Sequence, residues 1–173
     1  SLIVWGDFRS DELVPVTSLS TSNATVNALT QIDAVNVETT NAFAAWAPIY
    51  KVINNCNIVL DRAESVMSVD PSYTQGDYLS DRSQMLALRA LCYFYLVRNF
   101  RDVPYSGHAY MKSSEQMNIP QVNPDSILNV CIADLKEAEL NALDPTSYND
   151  WRSKGLINRD AIDAILADIY LWR

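Results

Sequence analysis

The chain has 173 residues, of which 49% are hydrophobic and only four are glycine. The four glycines lie far apart, so neither of the common glycine-rich phosphate-binding loops can be assembled. The net charge of −8 and a pI near 4.5 disfavour nucleic acid and anionic membrane surfaces as partners, because both recruit cationic side chains. The length suits one domain or a large fragment of one, and the hydrophobic fraction is enough to build a substantial core.

The first part of the chain, residues 1–40, is rich in Ser, Thr, Asn and Val and shows no long helical period. We predict an extended or irregular segment there, with one short helix near Ala24–Gln31. From Thr40 onward the apolar residues recur at three- and four-residue steps, which predicts an amphipathic helix. Pro48 predicts that this helix kinks or starts nearby. The predicted face contains Phe43, Trp46, Ile49, Tyr50, Ile53, Asn57, Leu60 and Ala63.

A second helix is predicted from about Tyr78 to Phe100, after a loop over residues 68–76. Its centre is apolar nearly all round, so it should be the most buried element. Pro104 marks the end of this helical stretch, because the residue before a proline avoids the helical conformation. Residues 105–122 then form a long connection with little periodicity.

Asn123 and Asn158 are predicted to cap the third and last helices, which are separated by a polar loop over residues 146–157. The inward residues of the last helix are predicted to be Ile162, Ile165, Leu166, Ile169, Leu171 and Trp172. Because this apolar stripe continues to the end without a stop signal, we expect the sequence to be cut there, with further helices following. The predicted domains are an irregular segment, 1–40, and a helical region, 41–173, truncated at its C-terminal end.

The second helix carries one charged residue, Arg89, in its apolar stretch Met85–Val97. A buried arginine must be paired or must extend to solvent. We predict a structural ion pair with Asp134, which lies beside Leu135 in the apolar pattern of the third helix.

The sequence provides no pattern typical of a metal site or an enzyme. Cys56, Cys92 and Cys131 lie in apolar helical patterns, which predicts packed free thiols. The single histidine, His108, has no nucleophile motif beside it and is interpreted as a solvated loop residue. Glu137 lies on a charged helix face without a glycosidase-like arrangement. We therefore predict no catalytic residues, no metal and no cofactor.

Aromatic rings beside Asp, Asn or Arg in the predicted loops favour a carbohydrate site. A ring stacks on the C–H face of a sugar, while polar groups bind its hydroxyls. The predicted ligand contacts are Trp5, Asp7, Arg9, Tyr73, Asp77 and Tyr78, with Tyr148 and Trp151 behind them.

Four segments in chain order together resemble the SusD/RagB family. They are Trp46-x-x-x-Tyr50-x-x-Ile53-x-x-x-Asn57, Leu88-Arg89-Ala90 with the downstream Phe100-Arg101-Asp102-Val103-Pro104, Ile132–Glu139, and Gly155–Leu171. Arg101 stands where the family has glycine, so the turn before Asp102 is expected to differ. These are scaffold motifs, and no ligand residue of the family can be transferred through them.

The resemblance implies an all-α fold of tetratricopeptide-like antiparallel helix pairs. It implies a lipoprotein on the extracellular face of the outer membrane, held by a lipid anchor that this sequence does not contain. It also implies non-enzymatic capture of an oligosaccharide and its delivery to a TonB-dependent SusC-type transporter. The alternatives are an oligopeptide-binding member of the same family, a helical scaffold that binds only protein, and a hydrolase whose catalytic residues lie beyond Arg173.

Overall fold

The computed structural model describes residues 23–112, 114–115 and 118–173. The chain divides into two compact units, with the boundary between Pro48 and Ile49. The predicted division into residues 1–40 and 41–173 stays a prediction, since much of the first segment lies outside the described residues.

The first unit contains helix α1, Asn23–Asp33, where the sequence predicted a short helix. The chain leaves α1 through two backbone bonds. The Asn36 N–H donates to the Gln31 carbonyl at 2.9 Å, and the Val35 N–H donates to the Ile32 carbonyl at 3.1 Å. This pattern places Val35 at a left-handed position, with φ 53°, that proteins usually give to glycine.

The helix predicted from Thr40 begins later than expected. Ala42–Ala44 forms a short 3-10 helix, and α2 spans Ala47–Val66. Pro48 is therefore the second residue of α2, where its missing N–H costs no helical bond. The predicted start near Pro48 is confirmed, but the predicted extension to Thr40 is wrong. In a longer helix the proline ring would clash with the carbonyl four residues earlier.

The second unit is built from helices joined by loops and one small ribbon. It begins within α2, from Ile49 onward. The helices that follow are α3 (Gln75–Phe100), α4 (Pro124–Leu140), the short α5 (Arg152–Gly155) and α6 (Arg159–Trp172). Strand β1, Val103–Pro104, pairs antiparallel with β2, Gln121–Val122. The fold is mostly α-helical, as predicted. The short α5 lies in a loop for which no helix was predicted.

Side-chain caps set the starts of the three long helices of this unit. The Asn123 and Asn158 side chains accept the N–H groups of Asp125 and Ala161, so both predicted caps are confirmed. Helix α3 starts before Tyr78 because residues 74 and 77 form a reciprocal capping box that the prediction missed. Tyr78 is consequently a helical residue, and it is buried.

Helix α3 contributes the largest part of the core, as its apolar sequence predicted. Its fully or nearly fully buried apolar residues are Tyr78, Leu86, Ala87, Ala90, Tyr93, Phe94, Leu96 and Val97. All three cysteines are free thiols, as predicted; Cys56 and Cys131 are buried and Cys92 is half-buried. Among the described residues, no helix is both long and apolar enough to cross a membrane.

Helices α3 and α4 pack antiparallel. The Ser83 hydroxyl donates to the Ala138 carbonyl at 2.7 Å, and Arg89 pairs with Asp134 one to two turns along the helices, so the partners run in opposite directions. These hairpin contacts agree with the predicted layout of antiparallel helix pairs.

Helix α6 packs antiparallel to α4, and its exposed face differs from the prediction. Ile162 and Ile169 are fully buried, as expected. Leu171 is 87% exposed, so its predicted inward placement is wrong, whereas the 51% exposed Trp172 packs edge-on against the buried Phe94 of α3 with ring centroids 6.4 Å apart. Leu171 lies two residues beyond Ile169, about 200° around the helix, and therefore faces away from the core.

Candidate functional site

The predicted ligand contacts fall in separate parts of the chain. Trp5, Asp7 and Arg9 lie outside the described residues. The remaining five belong to two groups, one at the start of α3 and one in the loop before α6. The role of all eight in binding stays a prediction.

The first group, at the start of α3, is largely engaged in holding the helix. The Asp77 carboxylate accepts hydrogen bonds from the backbone N–H and the hydroxyl of Thr74, at 2.9 and 2.6 Å. The Tyr73 hydroxyl donates to Asp81 Oδ2 at 2.8 Å, and burial together with this carboxylate raises the pKa of Tyr73 to about 12. Tyr78 is only 8% exposed, so it presents little ring surface to solvent.

The second group presents its polar and aromatic side chains on the surface. We call Tyr148, Asp150, Trp151 and Arg152 the Trp151 cluster. Arg152 Nη2 donates to Asp150 Oδ2 at 2.7 Å and its Nε contacts both carboxylate oxygens at 3.1 Å. The guanidinium carbon lies 4.3 Å from the centroid of the Tyr148 ring. The carboxylate and the ring therefore fix the guanidinium between them.

Trp151 is the most exposed tryptophan in the described part of the chain, with 73% of its surface accessible. Its indole packs over Gly155, where an added Cβ would lie 3.1 Å from Trp151 Cε3. Glycine thus allows the ring to rest against the backbone of α5. The arrangement supplies an apolar face and, at the two adjacent positions of the chain, one fixed acceptor and one fixed donor.

Hydrogen bonds set the charge state of this cluster. Those from the Arg152 side chain and backbone lower the pKa of the Asp150 carboxyl below its ordinary range. The bond to Asp150 raises the pKa of Arg152 in turn. Asp150 is therefore an ionised acceptor near neutral pH. A general acid needs a raised pKa instead.

The predicted pairing of Arg89 with Asp134 is confirmed, and a third residue extends it. Arg89 Nε and Nη2 each donate to one Asp134 oxygen at 2.9 Å. Its Nη1 donates to Asn57 Oδ1, also at 2.9 Å. Asn57, which the sequence placed on an apolar face, is fully buried and joins α2 to this network.

Helix α2 also holds the segment that follows β1, residues 105–111, which we call the clasped loop. The Asn54 side chain donates to the Tyr110 carbonyl at 2.9 Å and accepts the Tyr110 N–H at 2.8 Å. Asn57 Nδ2 donates to the carbonyls of Ser106 and His108, at 3.1 and 2.9 Å. The sequence predicted only a connection with little periodicity here.

Two further residues of α2 complete the clasp. The Tyr50 hydroxyl donates to the Pro104 carbonyl at 2.6 Å, and Asp61 Oδ2 accepts the Ala109 N–H at 2.9 Å. Residues 50, 54, 57 and 61 are spaced three or four apart, so they share one face of α2. Their spacing is visible in the sequence. The groups that they bind are backbone N–H and carbonyl groups, which every loop offers, so the sequence could not show which loop they hold.

Aromatic rings lie both under and on the clasped loop. Tyr105 packs against Tyr93 with ring centroids 5.0 Å apart. Gly107 lies close above Tyr105, since an added Cβ would be 3.2 Å from the hydroxyl. Towards solvent, the rings of His108 and Tyr110 lie 5.0 Å apart with an interplanar angle of 41°. His108 is exposed, as the sequence predicted.

The described residues contain no group of three or more His, Cys, Asp or Glu side chains that could hold a metal ion. The arrangement that they do present, an exposed ring with fixed polar partners, suits recognition of a ligand by stacking and hydrogen bonding.

Comparison with known proteins gives a consistent result. The model of a SusD-like family, described as starch-binding and associating with the outer membrane, matches residues 7–171. SusD-like protein P38 of Formosa agariphila is 26% identical over 139 residues, which cover 79% of this chain and 25% of that protein.

Solved structures share the fold. A SusD superfamily protein from Bacteroides thetaiotaomicron has a TM-score of 0.80 at 24% identity, covering 98% of this chain and 38% of its own. A laminarin-binding SusD-like protein has a TM-score of 0.72 at 24% identity, covering 84% of this chain and 30% of its own. The chain thus spans a quarter to two fifths of the length of these three proteins. Because the family model matches nearly the whole sequence, the chain belongs to the SusD-like family.

Proposed function

We propose that this chain is part of a non-catalytic surface protein that binds oligosaccharide through the Trp151 cluster. The observation that carries the proposal is the 73% exposed indole of Trp151 beside the fixed pair of Asp150 and Arg152. The indole would stack on the C–H face of a pyranose. The carboxylate would accept from one hydroxyl, and the guanidinium would donate to another.

The family supports this ligand class and a place at the outer membrane. Its description names starch binding and association with the outer membrane, and one structural neighbour is a laminarin-binding protein. We extend the proposal to lipid anchoring at the extracellular face and to delivery of the glycan to a SusC-type TonB-dependent transporter.

Binding without turnover is the role that the charge state of the cluster favours. Hydrolysis of a glycosidic bond commonly needs one carboxyl group that is protonated near neutral pH. The Trp151 cluster contains a single carboxyl group, Asp150, whose pKa is lowered by Arg152, so the cluster has an acceptor but no protonated partner for it. We therefore assign the site to capture rather than to cleavage.

The test is calorimetric titration of the chain, alone and within the longest natural polypeptide that contains it. The probes are maltohexaose, laminarihexaose, cellohexaose and a mixture of unstructured oligopeptides. We expect saturable binding of at least one hexasaccharide, with the sugar recovered intact after incubation. Binding of the peptides and of no sugar would overturn the proposal in favour of peptide capture. Release of shorter sugars would contradict the non-catalytic assignment.

A protein-binding role is the second candidate, and the outer side of α6 favours it. Tyr170 and Leu171 are 52 and 87% exposed and form an apolar patch at the end of the helix, next to the half-exposed Trp172, whose ring packs on Phe94. Such a patch is typical of a surface that contacts protein. Leu171→Asp should leave glycan binding unchanged if the Trp151 cluster binds the sugar. A loss of glycan binding in this variant would tie the two functions together.

A further inference from the structure

The clasped loop is held more tightly than a simple connection requires. The α2 side chains at positions 50, 54, 57 and 61 make six hydrogen bonds to its backbone and to the preceding Pro104. Tyr93 adds a reciprocal pair, donating from its hydroxyl to the Ser106 carbonyl at 3.1 Å and accepting the Ser106 N–H at 2.8 Å. These bonds offset the conformational entropy that the loop loses when it is ordered during folding.

The clasp fixes the backbone and leaves two side chains to face outward. All of these bonds end on backbone N–H or carbonyl groups of the segment, and of its side chains Tyr105 packs inward on Tyr93 while the Ser106 hydroxyl donates to the His108 carbonyl at 2.9 Å. His108 is exposed and Tyr110 is half-buried, and both belong to the stacked pair. A ring pair on a pre-ordered loop can bind a ligand without a further ordering cost.

The surroundings of this ring pair are polar and nearly neutral in charge. Asp61, beside the loop, has its carboxylate at the Ala109 N–H. Arg62 Nη2 lies 3.7 Å from the Met111 sulfur at the end of the loop. Lys112 and Glu115 follow at the end of the loop, so acidic and basic side chains balance near the rings and provide no cationic excess that would recruit phosphate.

We propose that His108 and Tyr110 form a second sugar-binding site, which takes one pyranose unit of a neutral glycan. The tilted rings would receive the C–H face of the sugar, and the Asp61 carboxylate, held at the Ala109 N–H, would accept from one of its hydroxyls. This inference rests on the proposed glycan function but uses other residues than the Trp151 cluster. The rigid loop makes the site ready before the ligand arrives.

The unique histidine allows a direct experiment, because His108 supplies the only imidazole signals in the chain. The chain is titrated with maltohexaose, laminarihexaose and cellohexaose while the His108 Hε1 and Hδ2 resonances are followed by NMR. We expect a saturable shift of these resonances with at least one sugar, together with cross-relaxation between imidazole and sugar protons. Resonances that stay in place with all three sugars would overturn the inference.

Variants separate the two sites. Tyr110→Leu removes the ring but keeps the backbone groups that Asn54 holds, and it should weaken the affinity read from the His108 shift by roughly tenfold. His108→Ala, at an exposed position, should lower the number of bound sugars measured by calorimetry from two to one. Tyr170→Leu, which removes an exposed ring from α6, is the control and should leave the His108 affinity unchanged. If Tyr110→Leu matched the control, the ring pair would not be the site.

Trp151→Ala distinguishes failure of this inference from failure of the proposed function. If the inference holds, this variant keeps the His108 shift although it loses the first calorimetric site. If calorimetric binding disappears with Trp151→Ala and His108 never responds in the unmodified chain, the proposed function stands and the second site does not. If no sugar binds the unmodified chain by either method, both are overturned.

Discussion

Arg89 and Asp134 form a two-point ion pair between α3 and α4, with both hydrogen bonds 2.9 Å long. Only 7% of Arg89 and 9% of Asp134 is accessible to solvent. Asn57 takes the remaining amino group of the guanidinium, so three helices meet at one buried charge. The guanidinium, the carboxylate and the amide oxygen thus all have hydrogen-bond partners. Because the network is buried, removing any one of these bonds should lower the free energy of unfolding.

Asp134→Asn should lower the free energy of unfolding by about 3–5 kcal/mol, because it leaves the Arg89 cation buried without its counter-charge. Urea denaturation followed by circular dichroism gives the measurement. The matched control is Glu137→Gln on the same helix, which breaks the 2.6 Å pair with the partly exposed Arg82. We expect this control to cost about 1 kcal/mol or less. Equal losses for the two variants would contradict a special role for the buried pair.

Arg101→Gly should stabilise the chain by roughly 1 kcal/mol. Arg101 ends α3 with φ 64° and ψ −90°, a conformation that strains any residue with a Cβ. Arg101→Ala is the control, because it removes the 85% exposed side chain but keeps the strained Cβ. We expect the alanine variant to stay within about 0.5 kcal/mol of the parent in urea denaturation. If alanine stabilised the chain as much as glycine, backbone strain would not be the cause.

The three cysteines should react slowly with iodoacetamide at pH 8 in the folded chain. Burial raises the pKa of Cys56 to about 11 and that of Cys92 and Cys131 to about 12. Little of the reactive thiolate is then present. Mass spectrometry should find all three thiols alkylated in urea and almost none in the folded chain. Rapid labelling of any cysteine without urea would contradict the packing of that residue.

The sequence predicted those parts of the fold that depend on local chemistry. Asn123 and Asn158 act as caps through their own side chains, and the spacing to the helix start is fixed within a few residues. Arg89 was conspicuous because an apolar run cannot hold an unpaired charge, and Asp134 was the acid in the neighbouring apolar helix. These features require no knowledge of distant backbone.

The features that the prediction missed depend on distant backbone groups or on exposure. Asn54 and Asn57 hold a loop some fifty residues away through its N–H and carbonyl groups, which leave no mark on the loop sequence. Leu171 continued an apolar pattern but lies on the outer side of α6, because a two-residue step turns the side chain away from the core. The sequence likewise does not show that the Trp151 ring lies on Gly155 at the surface and not in the core.

Glycan affinity at the Trp151 cluster should be constant between pH 8 and pH 5. The pKa of Asp150 is lowered from its ordinary value of 3.8 by Arg152, so the carboxylate stays ionised over this range. Its contribution is complete above the ordinary pKa and is lost only as the pH falls through the lowered value. Calorimetric titrations at pH 8, 7, 6 and 5 provide the measurement. A steep loss of affinity between pH 7 and pH 5 would show that a group other than Asp150 controls binding.

The most direct test of the account is the affinity of the Trp151→Ala variant for the hexasaccharide that the unmodified chain binds best. Truncation removes the stacking surface and leaves the Asp150–Arg152 pair in place. The account predicts that calorimetry will show at least a tenfold loss at the first site, that Trp151→Phe will recover part of it, and that Tyr170→Ala will bind as the unmodified chain does. Unchanged affinity in Trp151→Ala, with the fold intact by circular dichroism, would contradict the assignment of glycan binding to this cluster.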